Sequence, residues 1–524
     1  MWWKSLVLAG LVACAPSSSV GDDDDDSSGD GGPGQPDARG EPLVRDFVDP
    51  SLPPTVVDDF DNLDLQPGLD LVYPNPSVAI PRDVAALDVQ ADPATGLDVY
   101  RVTFAVDTGD VLRGYVPDPS WIPAEGDWTW LMSRAAGQQI TLTMAGARDD
   151  GAGGLTDGRE SGGQPLFVSW DEATGALFYF ATTGDQLSGE GTLERLEVGT
   201  RQPDKYLNKT NSGGNCVGCH TLSRDGEQLS FTLMDIAFQL TTALVEAEDP
   251  TAQTAAQGAQ GANGAFNPDG TKLLMSSAGQ LQLFDAASGA KLADVPTSGL
   301  ALYPDWSWDG NTVVFVRPES LCVPVLFDFG QDSIFVYGGS LVTLQYDGGT
   351  TFSNEQVLLP ADGTYSNFYP SFSPDGSWIA FSRANRATVS SWALGNTVCE
   401  GQTGGGVSYD NPSSATWVVS PDGAALHQLA RANEAPMLTN SWPRWAPKAD
   451  GEFLWLSMSS TREYGTRLVG GNAHHQLWFS AVRKPGEPFG DDPSSPSVWF
   501  PFQTLDTKNH LGQWSLKVGD FVIE

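Results

Sequence analysis

Apolar and polar residues alternate along most of this chain, which is the pattern of half-buried β-strands. In residues 44–163 the alternating stretches are short, for example 97–106, 127–133 and 138–146, and Gly, Pro or Asp residues separate them. The pattern predicts that residues 44–163 form a β-sandwich of roughly immunoglobulin-like build.

A repeated frame begins after residue 163. Each copy is an apolar strand, a turn that ends in Asp-Gly and a second apolar strand, and copies start near residues 220, 264, 304, 369 and 442. Asp-Gly favours a tight hairpin because glycine accepts a positive φ angle without steric cost. A further strand follows each pair, and the first copies are about 40 residues apart, a spacing typical of propellers. Each copy therefore predicts one four-stranded antiparallel blade.

This frame resembles the TolB-type β-propeller repeat, whose strand–Pro-Asp-Gly–strand signature stands here at residues 267–270 and 373–376. The resemblance implies a WD40-like propeller over residues 164–524. Five blades follow from the repeats, and a sixth can be assembled from strands near residues 165–180 and 511–524. Pairing these two ends would close the ring and protect its edges. The expected fold is all-β, a β-sandwich followed by a six-bladed propeller closed by pairing of its ends.

The start of the chain predicts export. Residues 1–13 hold one lysine and a short apolar stretch, and they run into Leu-Val-Ala-Cys14, which resembles the lipobox of bacterial lipoproteins. The resemblance implies a signal peptide over residues 1–13 and lipidation of Cys14; the alternative is an ordinary secretory signal with a chance cysteine. Residues 14–43 form an acidic linker rich in Gly, Ser, Asp and Pro that cannot build a core. We expect an exported lipoprotein of the periplasm or cell surface, anchored to a membrane by its lipid, with the outer membrane favoured.

The charge of the chain limits its partners. It carries 66 acidic and 28 basic residues, a net charge of −38. Nucleic acid is excluded as a partner because phosphate binding needs clustered Lys and Arg. A redox or other protein partner is expected, and the acidic surface favours a basic one.

The sequence Cys216-Val-Gly-Cys219-His220 is the attachment pattern of a c-type haem. The two thiols form thioethers with the haem vinyl groups, and the adjacent histidine becomes the proximal iron ligand. The motif predicts one covalent haem c. A zinc pair or a disulfide is the alternative, but the chain offers no second cysteine pair at zinc spacing, and a disulfide leaves His220 without a role.

Propeller geometry limits the sixth iron ligand. Residues just before an inner strand and residues between the second and third strands of a blade share one face of the ring, and the haem motif opens onto that face. His510 precedes the inner strand of the closing blade, the neighbour of the haem blade, and is the favoured distal ligand. His474, His475 and Met437 are the alternatives on that face.

Cys322 and Cys399 each follow the second strand of a blade, in the third and fourth blades. The two loops are therefore expected to be neighbours on the haem face. An exported protein retains disulfides, so we expect a Cys322–Cys399 disulfide that stiffens the rim.

Motifs for other chemistry are missing from the sequence, which has no Ser-His-Asp order, no His-Glu-x-x-His and no phosphate loop. No catalytic residue is therefore assigned, and whether the chain is an enzyme stays open. Electron transfer by the covalent haem is the favoured function. The alternatives are a peroxidase-like haem oxidoreductase with an open sixth position, and a protein-interaction platform with a structural or sensory haem.

Overall fold

The computed structural model describes residues 41–516, except for 94–95, 184–190, 211, 213–215, 235–239, 248, 258–262, 323–334, 388–405, 436–437, 471–473 and 487–489. The predictions for Cys14, the signal peptide, most of the linker, Met437 and Cys399 lie outside the described residues. For Cys216 and Cys322 the backbone is described and the side chain is not.

The N-terminal part is built from two sheets and two helices in the described residues. Its elements are β1 (Val44–Val48), α1 (Val56–Asp61), β2 (Gln66–Pro67), β3 (Leu71–Tyr73), β4 (Val78–Ile80), β5 (Val89–Ala91), β6 (Val99–Val106), β7 (Val111–Val116), β8 (Ser120–Trp121), α2 (Glu125–Ala135), β9 (Gln138–Asp149), β10 (Leu155–Glu160) and β11 (Gln164–Val168). Neither helix has the length and apolar character of a membrane span.

The larger sheet has the order β1-β7-β6-β9-β10-β2, with β11 on β9 and β4 on β11. The pairs β1–β7, β2–β10 and β4–β11 are parallel, unlike an immunoglobulin-type sandwich, in which neighbours are antiparallel. The smaller sheet, β3-β5-β8, packs on it through Trp121, whose ring centroid is 6.2 Å from Phe104 and 6.0 Å from Phe47.

Two expected elements differ from the structure. Residues 127–133, predicted as a strand, lie in helix α2, where Trp128, Leu131, Met132 and Ala135 are buried at helical spacing. The two tryptophans at 128 and 130 mimic strand alternation, but only Trp128 is buried. The strand near Pro165, predicted to start the propeller, is β11, which pairs with β9 and β4 in the N-terminal sheet.

The propeller begins with β12. Its strands are β12 (Ala176–Thr182), β13 (Gly191–Glu197), β14 (Asp204–Leu207), β15 (Cys216–Leu222), β16 (Gln228–Met234), β17 (Leu240–Glu246), β18 (Asp249–Ala255), β19 (Asn263–Phe266), β20 (Lys272–Ser277), β21 (Gln280–Asp285), β22 (Lys291–Asp294), β23 (Leu302–Trp306), β24 (Thr312–Arg317), β25 (Ser320–Cys322), β26 (Phe335–Tyr337), β27 (Ser340–Gly348), β28 (Thr351–Leu359), β29 (Tyr365–Phe372), β30 (Ile379–Asn385), β31 (Ala415–Val419), β32 (Leu426–Gln428), β33 (Ser441–Trp445), β34 (Phe453–Ser460), β35 (Gln476–Arg483), β36 (Val498–Trp499) and β37 (Lys508–Ser515).

These strands form six four-stranded blades. Their orders are β14-β13-β12-β37, β15-β16-β17-β18, β19-β20-β21-β22, β23-β24-β27-β28, β29-β30-β31-β32 and β33-β34-β35-β36, and the hairpin β25-β26 is an insertion in the fourth of them. The inner strands β15, β19, β23, β29, β33 and β37 contact one another in that order, and β37 contacts β15. The ring is closed because β37 pairs with β12, Leu177 opposite Trp514. The six-bladed propeller closed by its two ends is confirmed.

The turn after an inner strand is held by side chains as well as by glycine. In the turn after β29, Ser373 Oγ donates to Asp375 Oδ1 at 2.6 Å and accepts from the Trp378 backbone N–H at 2.9 Å. Gly376 has a φ of +73°. The turns at Ser223 and Ser307 use the same bonds, so the repeated Ser-x-Asp-Gly is a hydrogen-bonded unit.

The N-terminal sheets pack on the blade β33–β36. Tyr73 meets Tyr464 edge to face with ring centroids 4.9 Å apart, and Phe167 meets Phe453 at 6.0 Å. Arg467 Nε donates to Asp88 Oδ2 at 2.9 Å across the same boundary. One apolar core therefore continues from the N-terminal part into the propeller.

Candidate functional site

The Cys-x-x-Cys-His motif forms the first part of the inner strand β15. The pairing of β15 with β16 shifts register between Gly218 and His220, so Cys219 is a bulge residue. Cys219 is half-buried and packs against an aromatic cluster at the ring axis. The motif therefore begins at the end of β15 that is opposite the Asp-Gly turn, as the sequence predicted.

Other inner strands have a bulge at the same position. Counted four residues back from the start of the turn, Cys219 corresponds to Tyr303, Tyr369 and Trp442, which have φ angles of +51°, +51° and +48°. Their rings form an arc, with centroids 4.5 Å apart between Tyr303 and Tyr369 and 4.7 Å apart between Tyr369 and Trp442. A thiol thus takes the place of a large ring beside this arc.

His220 is buried between two blades. Its Nε2 lies 3.4 Å from the backbone oxygen of Phe178 in β12. Burial lowers the pKa of His220 to about 4, because the surroundings disfavour the charged ring. The ring is therefore neutral at pH 7, which is the form that binds a metal.

His510 lies on β37, the closing strand that contacts β15. Its ring is stacked with Trp442 at 5.3 Å and meets Phe180 edge to face at 5.1 Å. Both ring nitrogens are buried and have no hydrogen-bond partner in the described part of the chain. Burial, and next the charge of His220, lower the pKa of His510 to about 3, so the two histidines are electrostatic neighbours.

His475 belongs to the same cluster. Its ring is stacked on Tyr409 at 3.7 Å, and its Nε2 lies 3.6 Å from Asp410 Oδ1. Burial, then the charge of His510, lowers the pKa of His475 well below its ordinary value. His475 is also tied to the closing strand, because its backbone oxygen accepts from the Asn509 N–H at 2.7 Å.

His474, which precedes His475, has a backbone contact of its own. Its Nε2 lies 2.7 Å from the backbone oxygen of Leu505, a closer contact than the 3.4 Å between His220 Nε2 and the Phe178 oxygen. Of the alternatives for the distal position, His475 lies in the cluster and Met437 is outside the described residues.

The side chains of this site are of the kinds that hold a haem. The buried nitrogens of His510 have no partner, and a buried polar atom without a partner is costly in a folded protein. Trp442, Tyr409 and Phe180 supply flat apolar walls around it. Among the described residues no group of three or more His, Cys, Asp and Glu side chains gathers as a metal site of its own.

The aromatic members of the site could not be assigned from the sequence. Trp442 and Tyr409 belong to no chemical motif of the sequence. The signal that could have found Trp442 is the alignment of inner strands, since it stands where Cys219 stands in the haem blade.

No protein-family model and no curated protein sequence matches this chain. Solved structures do. The chain is similar to TolB from Acinetobacter baumannii, at 12% identity and a TM-score of 0.39, over 72% of this chain and 86% of that one. The six-bladed propeller of this chain follows from its own strand pairing. The chain is also similar to an oligogalacturonate lyase in complex with manganese, at 16% identity and a TM-score of 0.33, over 59% of this chain and 71% of the other.

A third similar structure is the β-propeller domain of the Trilobed protease from Pyrococcus furiosus, at 12% identity and a TM-score of 0.34, over 62% of this chain and 82% of that one. Likeness at these values concerns the fold alone.

Proposed function

We propose that this chain is an exported, lipid-anchored monohaem c-type cytochrome that transfers electrons. Cys216 and Cys219 would hold the haem covalently, His220 would be its proximal ligand and His510 its distal ligand. The observation that carries the proposal is His510, whose two buried ring nitrogens lack partners beside His220.

The unpartnered nitrogens favour a ligand role over a structural one. A histidine that only fills a core normally donates one ring N–H, and a buried polar group left without a partner costs about 1–3 kcal/mol. An iron ion bound to one nitrogen of His510 would remove half of that cost. The neutral state that burial imposes on His510 and His220 is also the state that ligates iron.

Two histidine ligands favour electron transfer over substrate turnover. When bound, haem supplies a one-electron couple between ferric and ferrous iron. If His220 and His510 both bound the iron, no position would remain open for a substrate. The net charge of −38 favours a basic protein as the electron donor or acceptor, through an association that weakens as salt is added.

The test is a visible spectrum of the full chain, expressed with the haem-attachment machinery, oxidised and reduced, with and without carbon monoxide. We expect covalent haem and a low-spin spectrum that carbon monoxide does not change. His510→Ala should give a high-spin spectrum that shifts with carbon monoxide. His427→Ala is the control, because His427 lies on the outer strand β32, and it should leave the spectrum unchanged.

Two results would contradict the proposal in different ways. A chain without covalent haem would remove the cytochrome and leave the propeller as a binding platform. A wild-type spectrum that is high-spin and shifts with carbon monoxide would keep the haem, exclude His510 as its ligand and favour the haem oxidoreductase.

A further inference from the structure

A cavity of about 60 Å³ lies on the propeller axis at the end of the inner strands where the Asp-Gly turns lie. All six inner strands contribute to its wall, among them Thr221 of β15, Ala265 of β19, Asp305 of β23, Ser371 of β29, Trp445 of β33 and Gln513 of β37. It is therefore at the opposite end of the ring from Cys216, which begins β15.

The charged side chains that line this cavity are Arg224, Arg444 and Asp305. Arg224 Cζ lies 4.2 Å from the centroid of the Trp308 ring. Its Nη2 donates to the backbone oxygen of Trp306 and is 3.7 Å from Asp305 Oδ1. Asp305 also accepts the backbone N–H of Phe372 at 2.7 Å through Oδ2. One carboxylate thus faces two guanidinium groups and is already engaged by a backbone donor.

Arg444 is the less satisfied of the two cations. Its Nη1 donates to the backbone oxygen of the adjoining Pro443 at 3.0 Å, and within the described residues it makes no ion pair. Burial lowers the pKa of Arg444, and it lowers that of Arg224, whose Nε is buried without a hydrogen-bond partner in the described chain. The wall therefore carries an excess of one positive charge and unused N–H donors.

We propose that this axial cavity binds a small oxyanion, with one carboxylate or phosphate group held between Arg224 and Arg444. Guanidinium groups donate two parallel hydrogen bonds to such groups. The size agrees, since a water needs about 10–15 Å³ of cavity volume and 60 Å³ takes roughly four to five heavy atoms, as in acetate or phosphate.

The selectivity of the cavity follows from its charge within an acidic molecule. The chain as a whole carries a net charge of −38 and repels anions, so an anion that binds needs a local positive site. Arg224 and Asp305 retain 14% and 17% of their side-chain exposure, so solvent reaches the cavity.

The experiment is calorimetric titration of the full chain with sodium phosphate and, separately, with sodium acetate, at ionic strength fixed by sodium chloride. We expect saturable binding of one equivalent. A response to acetate alone would assign a carboxylate ligand, and a response to phosphate alone a phosphate ligand. Benzoate has the charge of acetate but exceeds the cavity, and should bind at least ten-fold more weakly than acetate.

Variants locate the site. Arg444→Gln should weaken anion binding at least ten-fold. Arg444→Lys keeps the charge and loses the paired donors, so its affinity for the anion should lie between those of Arg444→Gln and the wild type. Arg386→Gln is the control, because Arg386 pairs with Glu319 on the surface, and it should bind as the wild type does. If Arg444→Gln does not fold, the Lys variant and the benzoate comparison still decide. Wild-type protein that binds neither anion, or an Arg444→Lys variant that binds as tightly as the wild type, would overturn the proposal.

Discussion

Cys219 stands where several other inner strands of the propeller carry a large aromatic ring. The equivalent bulge positions hold Tyr303, Tyr369 and Trp442, whose rings pack on one another around the axis. Cys219 and, on the closing strand, Leu511 hold no ring at this position, so the arc ends at Trp442, which is stacked on His510. The aromatic arc would thus form a wall for the haem proposed here.

The turn network gives a prediction at the scale of one hydroxyl. Ser373→Ala removes the acceptor of the buried Trp378 N–H and should lower the free energy of unfolding by about 1–2 kcal/mol. Urea denaturation followed by tryptophan fluorescence measures it. Ser377→Ala, in the same turn, loses only exposed bonds to Asp375 and should change stability by less than about 0.5 kcal/mol. An equal decrease in the free energy of unfolding of the two variants would show that the buried hydrogen bond stabilises the fold no more than the exposed ones do.

Site residues could be predicted from the sequence where they are close together in the chain or where ring closure joins their blades, and could not where other residues distant in the chain meet in the fold. The haem motif is local, and His510 could be placed beside it because ring closure fixes which blades are neighbours. Arg224, Asp305 and Arg444 meet only because three blades converge on the axis. No spacing within one repeat signals that meeting, so the anion cavity became visible only in the structure.

At the scale of elements, the blades could be predicted because each repeat carries its own turn and strand pattern. Helix α2 and strand β11 could not be predicted. The apolar residues of α2 fit a strand as well as a helix, and those of β11 fit the propeller as well as the N-terminal sheet. Tertiary packing decides such short segments. Trp128, for example, donates its Nε1–H to the Val84 backbone oxygen at 2.8 Å, and only the helix directs it there.

The closing blade gives a prediction about Gly175, which precedes β12 with a φ of +87°. A Cβ at this residue would overlap the backbone oxygen of Ser515 on β37. Gly175→Ala should therefore lower the free energy of unfolding by about 3 kcal/mol or more, since backbone must move.

Gly151→Ala is the matched control for that variant. Gly151 has a φ of +73° and open space around its Cα, so it carries the cost of a left-handed alanine, about 1–2 kcal/mol, and no overlap. Thermal or urea unfolding of both proteins separates the two contributions. An equal decrease in the free energy of unfolding of the two variants would mean that the backbone of β37 moves away at Ser515 without an energetic cost.

Glu194 of β13 gives a prediction about how the stability of the closing blade depends on pH. It accepts the hydroxyl of Tyr179 at 2.8 Å, and burial raises its pKa above the ordinary value. The folded state therefore binds more protons than the unfolded state above about pH 4.5, and stability falls as the pH rises through the folded pKa, by up to about 1.4 kcal/mol per pH unit.

Glu194→Gln keeps an acceptor for Tyr179 and removes this titration. Compared by urea midpoints from pH 5 to pH 8, the variant should gain stability on the wild type as the pH rises. Glu434→Gln, at an exposed position, should follow the wild type at every pH. A constant difference between Glu194→Gln and the wild type over this range would refute the assignment.

At the scale of the whole molecule, loss of the proposed lipid anchor should change where the protein is found without changing its fold. Cys14→Ser should move the protein from the membrane fraction to the soluble fraction, because a signal cleaved at an ordinary site leaves no lipid. Immunoblots of the two fractions measure it, and the haem spectrum should be unchanged because the propeller begins far beyond residue 14. Retention of Cys14→Ser in the membrane fraction would show that another contact holds the protein there.

The pairing of β12 with β37 sets the order in which the molecule can be completed. The two strands are joined by more than three hundred residues of chain. During synthesis, the other five blades are therefore complete before the ring can close. The strand that shuts it also carries His510 to His220. Closure of the ring and assembly of the histidine pair are therefore one event. The proposed haem would gain its second axial ligand only once β37 has paired with β12.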